Sequence, residues 1–210
     1  MGNFIAKSAI IHPNVQLGND VVVEDFCVIG IPPRGGDSTG MQTIIGDGAV
    51  IRSHTVIYAG NRIGVGFQTG NKANVRENNV IGDNVSIGTM SVIEHHVTIA
   101  DNVRIHTQVF IPEFSVLEEG CWVGPNVVLT NARYPNSPDA KHQLAEVTLK
   151  RGAILGANVT VLPGVTIASR SLIGAGSVVV ADTQPGGVYY GNPARLTNSI
   201  NKLPYPAAQS

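Results

Sequence analysis

The chain has 210 residues, 43% of them hydrophobic but only 5% aromatic, and a formal net charge of −1. So small a net charge gives no electrostatic case for nucleic acid or an anionic membrane as a partner. Scarce aromatic mass beside abundant Ile and Val points to a narrow core of stacked layers, and the 24 glycines suit many tight corners. No basic-plus-apolar leader and no apolar run near about twenty residues is seen, so a soluble, cytoplasmic protein is expected.

Taken in order, the chain keeps one ruler. Ile5, Ile11, Leu17, Val23 and Ile29 stand six apart, with Ala9, Val15, Val21 and Cys27 four places after the first four of them. Residues 31–43 (IPPRGGDSTGMQT) break the phase, and their Pro, Gly and Asp read as a loop. The ruler resumes at Ile45 and runs through Ile51, Ile57, Ile63, Thr69 and Val75. Its longest clean stretch follows, from Ile81 and Ile87 through Ile93, Ile99, Ile105, Ile111, Leu117 and Val123 to Leu129. A second break covers residues 130–146, and a last run goes from Leu149 to Val179. After Pro185-Gly186-Gly187 comes Gly191-Asn192-Pro193-Ala194-Arg195, then a polar tail.

A helix repeats near 3.6 residues and a flat strand near 2, so a period of six fits neither alone. It fits a parallel β-helix in which each hexapeptide makes one short strand and one corner. About 25 hexapeptides give some eight triangular coils in one domain, residues 1–195, with 196–210 as a tail. Coils should rise by about 4.8 Å each. Spacing does not give the hand, and ordinary crossovers are right-handed. Cys27 and Cys121 both fall on the inward position and read as buried packing thiols in a reducing compartment.

Three hexapeptides make 18 residues, so residues 18 apart should stack. Ala59, Glu77, His95, Glu113 and Asn131 then form one column. A histidine between two carboxylates would have its pKa raised and one tautomer fixed, as a general base requires. A solvent-facing charge ladder would show the same spacing, and both readings stand at this stage. His12, His54, His96, His106 and His142 fall on other columns or in a loop, where solvated or capping roles are expected. A zinc site needs three or four converging ligands. His95 and His106 are 11 apart at different places in their repeats, so no metal is expected. Asp47, Asp83, Asp101 and Glu119 form an acidic column that reads as turn chemistry. No phosphate-binding, nucleophile-elbow or dinucleotide fingerprint is present.

The repeated Ile-Gly-x-x-x-Val units, covering nearly the whole chain, resemble the hexapeptide-repeat acyltransferases. That resemblance implies an all-β, left-handed parallel β-helix that works as a homotrimer with active sites between subunits. Residues 93–99 (IEHHVTI) resemble the catalytic-histidine segment of the acyltransferases that act on UDP-glucosamine derivatives in lipid A synthesis. The phase break at 31–43 and the coil 51–57 are similar to the same group. Gly120–Asn126 with Thr130–Pro135 resembles the bacterial N-acetyltransferases of nucleotide-linked amino sugars, and Gly191–Arg195 resembles the C-terminal G-x-P-A signature of acetyl-CoA users.

Together these resemblances imply acetyl transfer from acetyl-CoA to the amino group of a nucleotide-linked sugar, UDP before dTDP, in bacterial surface polysaccharide synthesis. His95 would be the base, with Glu77 or Glu113 orienting it, a backbone N–H near Glu113 holding the oxyanion, and Asn131 orienting substrate or thioester. CoA would lie along Gly156, Ala157, Gly174 and Ala175, with Arg195 on its phosphates. Arg76, Asn71, Lys72, Glu94 and the 31–43 loop would face the sugar nucleotide. The competing expectations are acyl transfer from acyl carrier protein, a non-catalytic β-helix scaffold, and a γ-type carbonic anhydrase.

Overall fold

The six-residue period arises because each repeat spends two residues as a strand and the rest on a corner. The corner turns where the backbone enters the left-handed region: φ is 60° at Asn78, 54° at Asn84, 58° at Met90, 57° at His96 and 60° at Asn102. Asn tolerates that conformation and Gly adopts it freely, which explains the Asn and Gly content. The computed structural model describes residues 2–37 and 39–205. Met1, Ser38 in the first loop and residues 206–210 of the expected tail lie outside them.

Among the described residues the strands assemble into three sheets of eleven, nine and eight strands, parallel except for the last strand of the first, which form the faces of a left-handed β-helix. Registers follow the 18-residue coil: Val75 pairs with Ile93 and Ile93 with Ile111 on one face, Ile81 with Ile99 on the next. The two phase breaks lengthen single coils. Leu17 pairs with Ile45, and Leu117 with Leu149, so the loops insert ten and fourteen residues without disturbing the stack.

The aliphatic ruler and its companion position form the core. Ile87, Ile93, Ile99, Ile111 and Leu117 are fully buried, as are Val85, Val97, Val109 and Val127. Each such side chain contributes about 1.5–3 kcal/mol through burial. Ile5 stays 43% exposed because it belongs to the first coil. Cys27 and Cys121 are free, buried thiols, as expected, and burial pushes the Cys121 thiol up to about 12.

The C-terminal end leaves the repeat. The strand Gly187–Gly191 adds to the first face beside Leu172–Ile173, then turns back antiparallel into Ala194–Ser199. Ile200 is buried behind this hairpin. The boundary expected after Arg195 therefore falls inside a strand, where Tyr190 pairs with Arg195 and Gly187 with Ser199.

Three corners join the faces. The first follows the face that begins at Phe4–Ile5, the second the face of Ile10–Ile11, and the third the face of Val15–Leu17. Both inserted loops leave from the second corner, after the strands Val28–Ile31 and Val128–Leu129. This edge carries His95.

Candidate active site

On the second corner the 18-residue column stacks as the spacing requires. The His96 N–H donates to the Glu77 carbonyl at 3.2 Å, and the Phe114 N–H to the His95 carbonyl at 3.4 Å. A polar ladder inside the coil fixes this corner. Asn79 is buried; its Oδ1 accepts from the Val97 N–H at 2.7 Å, and its Nδ2 donates to the Arg76 carbonyl at 2.8 Å. Asn61 repeats the arrangement one coil below, accepting from the Asn79 N–H at 3.0 Å. The sequence reading missed this ladder. Its signal was polar Asn at an inward position that Val, Ala or Ser fills elsewhere.

The side chains divide into two groups. Below, Arg76 is held by two carboxylates: Nε and Nη2 reach Glu77 at 2.9 and 3.0 Å, and Nη1 reaches Glu94 at 3.3 Å. Its guanidinium also lies 5.0 Å from the Tyr58 ring centre. Burial pushes the Glu77 carboxyl up, but the Arg76 hydrogen bonds outweigh it and hold the group below the ordinary glutamate range. Burial prevails at Glu94, which sits above that range despite Arg76. Arg76 itself is raised, first by its hydrogen bonds to Glu77.

Above, Glu113 links two partners. Its Oε2 accepts from Asn131 Nδ2 at 2.7 Å, and its Oε1 stands 3.9 Å from His95 Nε2. The His95 Nδ1 meets His96 Nδ1 at 2.8 Å. Phe114 packs against both imidazoles, with ring centres 5.6 and 5.8 Å away. Sequence reasoning assigned His96 a solvated or capping role; it is exposed, and its ring also touches His95. Asn131 roots the second loop, its carbonyl accepting from the Ala145 N–H at 2.8 Å. Glu77, Glu94 and Glu113 outnumber Arg76, so with neutral histidines the corner carries about two negative charges.

The structure thus brings together His95, Glu77, Glu113, Asn131, Arg76 and Glu94. The remaining expected residues lie elsewhere in the chain. Asn71, Lys72, Gly156, Ala157, Gly174 and Ala175 follow first-face strands and so line the first corner. A Cβ on Gly156 would come within 2.7 Å of the Ala175 nitrogen, and one on Gly174 would collide with the Tyr190 ring. Close coil stacking accounts for these glycines. Arg195 is exposed on the C-terminal hairpin.

The first face also carries a groove of about 450 Å³ in which Trp122 and His106 pack with ring centres 4.4 Å apart beside Arg104. Among the described residues no three His, Cys, Asp or Glu side chains converge as a metal site, and no helix is long and apolar enough to cross a membrane.

Residues 80–113 match the bacterial transferase hexapeptide family (six repeats). The chain is similar to the galactoside O-acetyltransferase of Lactococcus lactis, 42% identical over 82 residues, which cover 37% of this chain and 40% of that protein. To the Escherichia coli galactoside O-acetyltransferase it is 34% identical over 87 residues, 38% and 41% of the two chains. The match thus spans about two fifths of these relatives. In fold it is similar to the UDP-N-acetylglucosamine acyltransferase of Francisella novicida, with a TM-score of 0.72 at 19% identity over 95% of this chain and 71% of that one. The Bacteroides fragilis enzyme of the same name gives 0.60 at 18%, over 97% and 79%. Residues 80–113 thus carry the bacterial transferase hexapeptide repeat, in a chain built as a left-handed β-helix.

Proposed function

We propose that this chain is an acetyltransferase that moves the acetyl group of acetyl-CoA onto the amino group of a UDP-linked amino sugar. In this reading it serves bacterial surface polysaccharide synthesis in the cytoplasm. It works as a homotrimer, with the second corner of one subunit facing the first-corner strip of the next across a cleft. That assembly would bring Gly156, Ala157, Gly174 and Ala175, with Arg195, to the CoA side, and Asn71 and Lys72 to the sugar nucleotide. The named activity of the partial relatives supports acetyl transfer, and the UDP group rests on the sequence resemblance of residues 93–99.

The observation that carries the reading is the gap of 3.9 Å between His95 Nε2 and Glu113 Oε1, in a corner of net negative charge between two loops. A nitrogen placed about 2.9 Å from each atom spans that gap with two charge-assisted hydrogen bonds. Negative charge attracts an ammonium, which favours an amine over a hydroxyl as acceptor. The ammonium sheds one proton to solvent, and the resulting amine attacks the thioester carbonyl. As the N–C bond forms, the second proton passes to His95 Nε2. The C–S bond then breaks and the departing thiolate takes that proton.

A backbone N–H at the Glu113 corner is the proposed oxyanion donor, since the next one, from Phe114, is already given to His95. Asn131 fixes Glu113 in place as acceptor. Arg76, held by Glu77 and Glu94, shapes the corner's charge on the sugar-nucleotide side.

A thiol-release assay with acetyl-CoA tests this, using paired UDP-amino sugars and their hydroxyl counterparts. The reading expects release with the amino sugars alone. Release with the hydroxyl sugars would favour O-acetylation, the activity named for the galactoside relatives. No release with any acceptor would support the scaffold, release only from acyl carrier protein the long-chain reading, and bound zinc the carbonic anhydrase.

A further inference from the structure

The histidine at position 96 is not demanded by the backbone. It occupies the left-handed corner position, with φ of 57°, where other coils place Asn78, Met90, Asn102 and Phe114 at similar values. Its side chain is therefore free to serve another purpose, and it meets His95 with Nδ1 to Nδ1 at 2.8 Å and ring planes at 89°. Two ring nitrogens approach so closely only when one carries a proton and the other presents a lone pair.

We propose that His96 is a positioning residue for His95, forming a dyad in which neutral His96 accepts the proton on His95 Nδ1 and leaves the His95 Nε2 lone pair facing the acceptor. The catalytic part of this role rests on the acetyl transfer proposed above; the dyad itself does not. The opposite arrangement, with His96 donating, would put the proton on His95 Nε2 and leave no base at the acceptor. An acceptor N–H directed at Nε2 selects the first arrangement. After proton transfer, His95 becomes an imidazolium whose Nδ1–H still bonds His96.

The charged groups around the pair are Glu113 from the coil above, Glu77 and Arg76 from the coil below, and Glu94 on the same coil. Their balance is negative. Phe114 packs on both rings and keeps them in register. With one proton shared between the rings, only the doubly neutral form holds a base.

The test uses the full chain with two substitutions, His96→Asn and His96→Phe, both residues that other corners already carry. Nitrogen NMR of the imidazoles should show His95 titrating in two coupled steps in the wild type and in one step in either variant. A single-step His95 curve that is the same with and without His96 would overturn the dyad. In acetyl transfer, both variants should lose about tenfold to a hundredfold in kcat, the value of a hydrogen bond to a charged group, with KM within about twofold. The acid limb of log kcat/KM, to which loss of the ammonium proton contributes equally in every form, should be steeper by one in the wild type than in the variants. Coupled NMR curves with unchanged kcat and pH profile would overturn the positioning role. A wild type with no acetyl transfer would refute the function, and the NMR titration would still decide the dyad.

Discussion

The second and third corners of this coil both stack carboxylates every 18 residues, yet they use them in opposite ways. On the third corner, Asp47 accepts from the Asn19 N–H at 2.7 Å, Asp83 from Val65 at 2.7 Å and Asp101 from Asp83 at 2.8 Å. Each short side chain reaches the backbone of the coil below and is spent there. On the second corner the carboxylates are one methylene longer and engage side chains: Arg76, Asn131 and the edge of His95. Backbone satisfaction at that corner is delegated to the buried Asn61 and Asn79. The lesson is that a repeat frees an edge for chemistry when its structural hydrogen bonds move inside.

Substitutions can break that contrast. The largest effect is expected at the base. His95→Ala should lower acetyl-transfer turnover about 10²-fold or more with thermal unfolding unmoved; unaltered turnover would return the column to a surface charge ladder. Next comes the internal ladder. Asn79→Ala orphans the Val97 N–H, while the Arg76 carbonyl keeps the Asn61 amide at 2.8 Å, and should cost about 1–3 kcal/mol in denaturant unfolding. Loss of under about 0.5 kcal/mol there would mean the corner is held by something else.

On the third corner, Asp101→Ala should cost about 1 kcal/mol and leave turnover per folded molecule unchanged. A fall in activity matching that of His95→Ala would erase the distinction between the corners.

The smallest effect sharpens the comparison through pH. Glu77 is held below its ordinary value of 4.5, against burial, by Arg76. A depressed carboxyl contributes stability that is present above 4.5 and lost as pH falls through the depressed value. The stability difference between wild type and Arg76→Met, about 1 kcal/mol near neutrality for a pair whose side chains are 29% and 11% exposed, should therefore shrink on acidification. A difference that grows as pH falls would contradict the pairing.

The sequence disclosed the coil almost completely, because a six-residue period is forced on every buried Ile and Val. It also placed Glu77, His95, Glu113 and Asn131 in one column, since 18-residue stacking survives both insertions locally. It did not disclose how Arg76 is spent, because side-chain pairing between neighbours at 76, 77 and 94 depends on rotamers, not spacing. The His95–His96 contact was not foreseen because it too depends on rotamers and not on the 18-residue spacing. The Tyr190 ring over Gly174 was missed because the chain there abandons the period for an antiparallel hairpin.

The most direct test of the account is a crystal structure of the chain with CoA and a UDP-amino sugar. The account predicts the sugar nitrogen between His95 Nε2 and Glu113, about 3–3.5 Å from the thioester-bearing sulfur's acyl position. A sugar nitrogen seated at the first face beside His106 and Trp122, away from His95, would contradict it.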